Sequence, residues 1–185
     1  MDSPACDRYA SGKTNAAHLA LASLEKNGHL GTIITQNVDG LHQSAGSTNI
    51  LEIHGSMRTM TCVSCFLKYD ASEFIAAYLE KDEIPRCKQC SHILKPDVIL
   101  FGEQLPVRTW LKAQEISKGC DLMIVAGSSL EVLPVAGLPM RAIENGAHLI
   151  IINNTETYLD VRADVVFNAD VAEILPRIAK EVLYE

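Results

Sequence analysis

A chain of 185 residues with 48% apolar content is long enough for one packed domain, or one domain with a small insert, and too apolar for wholesale disorder. Its formal charge of −7 is spread along the sequence without a Lys/Arg block, which argues against nucleic-acid binding through a basic face. The longest apolar runs, Leu122–Ala126 and Leu149–Ile152, fall far short of a membrane span, and the stretch from Met1 to Asn15 lacks the apolar core of a secretory signal. With six cysteines, that is the pattern of a reducing compartment: cytoplasmic, or nuclear in a eukaryote.

Asn15 to Gly28 carries Leu19, Leu21 and Leu24 among alanines and ends on a glycine suited to a C-cap, so it predicts a helix. Gly31–Thr35 is a short β-branched run that predicts a buried strand, and Leu41–Ala45 predicts a short helix stopped by Gly46. Met57 to Lys95 differs in character: it is rich in charge and cysteine, and its one periodic piece is Ala71–Leu79. Beyond Asp97 come four apolar runs read as buried strands: Val98–Phe101, Leu122–Ala126, His148–Ile152 and Val165–Phe167. Helical patterns at Arg108–Lys118, Pro139–Asn145 and Val171–Leu183 alternate with them, and Pro176 is expected near the first turn of the last. Short apolar strands alternating with helices predict a doubly wound α/β fold with a parallel sheet. Ligands in such sheets bind beyond the carboxyl ends of the strands, where Gln36–Asp39 and Gly127–Ser129 fall.

Cys62-x-x-Cys65 and Cys87-x-x-Cys90 form two knuckles separated by 21 residues. Four thiolates in two close pairs suit one tetrahedral Zn²⁺, and a polar segment this small needs such a staple to fold. Four cysteine ligands leave the metal no open position, so its role is structural. Cys6 and Cys120 are left over, Cys120 reading as a core thiol beside a strand.

Gln36, Asn37 and Asp39 offer amides and an acid suited to a carboxamide or sugar hydroxyls, although Asn-x-Asp-Gly also makes turns for backbone reasons alone. Gly127-Ser128-Ser129 lets a ligand approach the backbone and adds hydroxyls for phosphate or ribose. Asn153 ends a strand where a ribose contact falls in dinucleotide folds, and it could equally cap a turn. His54, between Ile53 and Gly55, is either a satisfied structural histidine or a general base in a cleft.

Together these pieces resemble the sirtuins, the NAD⁺-dependent protein lysine deacylases. T-Q-N-V-D-G-L-H at Thr35–His42 is similar to that family's nicotinamide-pocket motif, and E-I-H-G at Glu52–Gly55 to its catalytic-histidine motif. The paired C-x-x-C is similar to its zinc module, and P-D-V-I-L-F-G-E at Pro96–Glu103 to its substrate loop. G-S-S-L-E-V-L-P at Gly127–Pro134 resembles the ribose-phosphate motif, and I-I-N at Ile151–Asn153 the adenosine-side strand end.

The resemblance implies a Rossmann-like NAD-binding domain (1–56 and 96–185) with a small zinc module (57–95), and NAD⁺ and an acyl-lysine peptide meeting in the cleft between them. Asn37 and Asp39 would hold the nicotinamide carboxamide, with Gln36 near its ribose. His54 would take a proton from the ribose hydroxyls, so that the acyl group passes from lysine to ADP-ribose as nicotinamide leaves. Gly127, Ser128 and Ser129 would meet the phosphates and adenosine ribose, and Asn153 and Val171 would line the adenine side. The peptide would add as a strand between Phe101-Gly102-Glu103 and Leu130–Leu133, including Val132, with the Ile99 carbonyl receiving the lysine N–H. The residues of the peptide groove leave a second reading open, a non-catalytic acyl-lysine peptide-binding module that keeps the zinc site. Two further parts of the family pattern, a strand running into G-A-G-x-S and a cofactor-loop motif ending in D-F-R, have no counterpart in this sequence. The strands ending at Thr35 and Ala126 are therefore expected to lack a neighbour, exposing backbone and apolar side chains.

Overall fold

The structure, a computed structural model, describes residues 12–184. Helix α1 (Ala16–Lys26) begins on a reciprocal cap: the Asn15 side chain accepts from the His18 N–H at 3.2 Å, and the Asn15 N–H donates back to His18 Nδ1. Its inward face, Ala17, Ala20 and Leu24, packs on Leu175 and Ala179 of α6 (Val171–Tyr184) and on Ile152. Pro176 lies inside α6, just past its first turn and so near it as expected, and the helix continues through it.

Strand β1 (Ile33–Thr35) leads through the single turn α2 (Leu41–Ser44) to β2 (Ile50–Glu52), and the two strands pair in parallel. Then comes an antiparallel unit in the order β4-β3-β5, with β3 at Gly55–Cys62, β4 at Lys68–Asp70 and β5 at Leu94–Val98. Helix α3 (Ser72–Lys81) lies between β4 and β5 in sequence. After α4 (Val107–Gly119), strand β6 (Leu122–Ala126) crosses by α5 (Leu138–Glu144) to a parallel β7 (His148–Ile152), and β8 (Val165–Phe167) extends this second sheet. The alternating parallel pattern was legible; β2, β3 and β4, polar and mixed in sequence, were not foreseen as strands. The expected boundaries at 56/57 and 95/96 fall inside β3 and β5.

Among the described residues, β1 pairs only with β2, and β6 only with β7, so the parallel sheet stands in two pieces. Helices hold the pieces together. On one face Ile34, Leu51 and Ile53 pack with Ala113, Trp110 and Leu138 of α4 and α5, while α5 also adds Ala142, Met140 and Ile143 near β6 and β7. The free edge of β6 explains a correction. Leu122–Ala126 is a strand but not a buried one: Leu122 and Ala126 are exposed and only Val125 is buried, because among the described residues no strand covers its outer side. Val98–Phe101 is not a strand either. β5 ends at Val98, and Phe101 stands entirely in solvent next to Gly102, whose φ of 89° turns the chain. Cys120 is half-buried and donates to the Ser117 carbonyl; Cys6 lies outside the described residues.

Candidate active site and metal centre

The first cluster grows from the parallel pairing of β1 and β2. The Ile53 N–H donates to the Thr35 carbonyl at 3.0 Å, and the Met57 N–H to the Val38 carbonyl at 3.2 Å. These two bonds lace the Gln36–Asp39 loop alongside the turn at His54-Gly55. On its other side, the His54 carbonyl accepts the Ile99 N–H at 2.9 Å. Half-buried His54 is thus held between the amide-and-acid loop and the start of the segment that carries Phe101–Glu103.

Gly55 makes the junction possible. Its φ is 78°, and a Cβ there would sit 1.9 Å from the Asp97 carbonyl oxygen, so only glycine lets β5 come this close. Within the loop, Asn37 donates its N–H to Thr35 Oγ1, and Asp39 accepts the Leu41 N–H at 3.0 Å to start α2. The turn chemistry is therefore present, while the Asn37 and Asp39 side chains remain exposed. His42 packs on His18 with ring centroids 4.9 Å apart. Burial and then the His18 charge hold its pKa down, against the opposing pull of Asp39 and Glu52.

Glu103 accepts the Leu100 N–H at 2.9 Å and then Lys95 Nζ at 3.0 Å, which keeps its carboxyl below the usual range and closes the turn around Phe101 and Gly102. A nearby cavity of 390 Å³ is lined by Glu52, Gly55, Arg58, Lys68 and Asp97. Its charges are two ion pairs, Arg58–Glu52 at 2.6 Å and Lys68–Asp97 at 3.1 Å, so it offers little net positive charge for the phosphates of a dinucleotide.

The second cluster forms at the carboxyl ends of β6 and β7. Gly127, at φ 61°, donates its N–H to the Ile152 carbonyl, and a Cβ there would touch Val171 Cγ2 at 3.5 Å. Gly127 and Val171, 44 positions apart in sequence, therefore meet. Ser128 Oγ accepts the Leu130 N–H at 3.3 Å, and Ser129 is exposed. Leu130 is buried, whereas Val132 is exposed. Asn153 is buried and donates to the Thr155 carbonyl and hydroxyl, so it caps a turn, one of the two roles its position suggested.

The four cysteines of the paired knuckles converge, all Sγ atoms lying within 4.8 Å of one another. Nearest approaches are Cys62–Cys90 at 3.4 Å and Cys65 to Cys87 and to Cys90 at 3.5 Å. Zn–S bonds of about 2.3 Å in a tetrahedron require S–S edges of about 3.8 Å, so the thiols fit one structural zinc with no position left for substrate. The Tyr69 hydroxyl, then the Gln89 and Cys90 N–H groups, pull Cys87 down to about 6 against burial. Cys90 is pushed up to about 12: the His92 N–H lowers it, but burial and the three neighbouring thiols outweigh that. Neither the Tyr69 contact nor the stitching of His54 to Ile99 was marked by spacing in the sequence. Both arise from strand register.

Parallel strands with two polar clusters at their carboxyl ends, and a four-thiol unit between them in sequence, define an α/β nucleotide-type fold carrying a zinc ribbon. The Sir2 family pattern matches residues 5–134, and the chain belongs to that family. It is 48% identical to the NAD-dependent protein deacylase 2 of Archaeoglobus fulgidus over 91% of this chain and 66% of the relative. The NAD-dependent protein deacetylase of Sulfolobus acidocaldarius is 46% identical over 92% of this chain and 66% of its own. The chain thus spans just under two thirds of the length of these relatives. Among solved structures, Sir2Tm bound to a propionylated peptide superposes with a TM-score of 0.88 at 39% identity, covering 95% of this chain and 73% of that one. A Sir2–p53 peptide–NAD⁺ complex gives the same score and identity over 95% and 72%.

Proposed function

We propose that this chain carries the base, the nicotinamide-side loop and the peptide-side loop of an NAD⁺-dependent protein lysine deacylase. The observation that carries the reading is the backbone stitching of His54: Ile53 to Thr35 and Met57 to Val38 on one side, Ile99 to His54 on the other. A base held between an amide-and-acid loop and an exposed apolar loop suits a reaction between a nicotinamide ribose and a peptide side chain. The deacylase and deacetylase names of the relatives, and the NAD⁺ and acylated-peptide complexes of the solved structures, point the same way.

In this reading NAD⁺ supplies the electrophilic ribose carbon. Asn37 and Asp39 hold the carboxamide, and Gln36 lies by the ribose. The acyl oxygen of the peptide displaces nicotinamide from that ribose carbon, and His54 accepts a proton from a ribose hydroxyl, whose oxygen bonds to the acyl carbon as water completes the release of the lysine amine. Gly127, Ser128 and Ser129 receive phosphate and ribose where Gly127 brings backbone close to Val171, and Asn153 contributes through the turn it caps. The peptide adds between Phe101-Gly102-Glu103 and Leu130–Val132, its lysine N–H donating to the Ile99 carbonyl. Residues 57–95 act as the structural zinc module, and residues 12–56 and 96–184 as the dinucleotide side. Four metal-ready thiols suit the cytoplasm.

The test is nicotinamide release from NAD⁺ with an acetyl-lysine peptide, comparing this chain with His54→Ala. The substitution should cost about 10²–10⁴ in rate. Equal release from the two proteins would overturn the enzyme reading. Peptide binding measured by anisotropy in the same samples would then decide for the non-catalytic groove.

A further inference from the structure

The four zinc thiols are not equivalent, and the difference comes from one side chain. Backbone N–H groups of Ser64 and Cys65 point to Cys62, and those of Gln89 and Cys90 to Cys87. Cys65 receives the Leu67 N–H and Cys90 the His92 N–H. Cys87 alone among them also has a phenol: Tyr69 Oη lies 3.1 Å from its Sγ.

That phenol is firmly placed. Tyr69 sits opposite Met60 in the β3–β4 register, and its ring meets Phe74 of α3 edge-on at 5.7 Å and 89°. Lys88, next to Cys87 in sequence, lies over the other ring of this pair: its Nζ is 5.5 Å from the Phe74 centroid, and it is ion-paired with Glu73. Strand β4 and helix α3 therefore grip the second knuckle at Cys87 from two sides. Cys62 and Cys87 are buried, while Cys65 and Cys90 are partly open to solvent.

We propose that Tyr69 is a positioning residue for the zinc site. By donating its O–H to the Cys87 thiolate it makes that corner the firmest, so that metal exchange and attack by electrophiles begin at Cys65 and Cys90. Each donor to a thiolate withdraws charge from sulfur and fixes its direction, which lowers its nucleophilicity and orders the coordination shell. Tyr69 meets the thiol cluster through Cys87 and acts through that ligand. The proposal goes beyond the deacylase reading and rests on the thiols holding zinc, which metal analysis of the same sample checks separately.

The experiment compares the whole zinc-loaded chain with Tyr69→Phe, which keeps the ring against Phe74 and removes the hydroxyl. Competition with a chromophoric chelator should show zinc affinity falling about tenfold or more, the usual effect of losing an outer-shell partner. In Co²⁺-loaded protein the thiolate-to-cobalt absorption band should shift, a change that altered packing alone would not produce. N-ethylmaleimide labelling followed by peptide mapping should modify Cys65 and Cys90 before Cys87 in the parent chain, with Cys87 joining the early sites in the variant. Affinity within twofold of the parent and an unmoved cobalt band would overturn the proposal. Early labelling of Cys87 in the parent chain would overturn it whether or not the variant folds.

Discussion

Replacing Gly55 by alanine tests how the base is held in place. The added methyl carbon would lie 1.9 Å from the Asp97 carbonyl oxygen and 3.3 Å from Val98 Cα, atoms of the paired strand that cannot rotate away. Strand β5 must retreat by about 1 Å or more to restore ordinary contact, which loosens the Gly55–Val98 and Ser56–Asp97 pairings. Two costs add. A left-handed φ of 78° costs an alanine about 1–2 kcal/mol, and overpacking costs about 1–3 kcal/mol more. Gly28→Ala is the matched control, because its φ is 81° and nothing lies within 4 Å of the added carbon. Urea unfolding followed by circular dichroism, with zinc in excess, should show a loss of about 1–2 kcal/mol for Gly28→Ala and about 2–5 kcal/mol for Gly55→Ala. Against a total stability of about 5–15 kcal/mol the second loss is severe. Nicotinamide release should fall in Gly55→Ala alone, since the displaced strand runs on to Ile99, whose N–H holds the His54 carbonyl. Equal losses of stability in the two variants would refute the close-approach argument.

Asp97 accepts the Thr59 and Thr61 hydroxyls at 2.6 Å each and pairs with Lys68 at 3.1 Å. Burial raises its pKa, but the two hydroxyls and Lys68 outweigh it and hold the carboxyl below the aspartate range, near about 3.9 when unfolded. The folded value being the lower one, this stabilisation is complete above the unfolded pKa and is lost as pH falls through the folded value. Asp97→Asn should therefore be less stable at pH 7 and show a flatter acid limb in thermal melts below about pH 4; parallel limbs would count against it. Among the described residues β1 and β6 each have one unpaired edge, so the chain should bind a hydrophobic dye and self-associate at micromolar concentration, as seen by fluorescence and light scattering. A monodisperse, dye-silent monomer that melts cooperatively would show that the split sheet leaves nothing to cover.

Local chemistry made much of the scaffold legible. The runs His148–Ile152 and Val165–Phe167 are strands with those same bounds, as β-branched apolar runs between polar turns favour, but only the first is largely buried: Val165 is exposed and Val166 and Phe167 are half-buried at the end of the sheet. Two helix stops were readable as well: Gly28 and Gly46 take positive φ just past their helices. Strands β3 and β4 were hidden because their residues are mixed and their pairing partners lie elsewhere in the chain. Val98–Phe101 misled because apolar character was read as burial, when Phe101 stands on an exposed turn closed by Glu103.

The amino-acid sequence by itself determined the α/β class, the four metal-binding thiols and the polar strand-end clusters, since periodicity, cysteine spacing and turn chemistry are local properties. Tertiary structure alone decided that His54 lies between the loop stitched at Thr35 and Val38 and the segment stitched at Ile99, that Gly127 meets Val171, that Tyr69 reaches Cys87 and that the parallel sheet of the described residues is split. Each of these depends on strand register, and register is set by which distant backbone groups find partners. No local pattern encodes that choice.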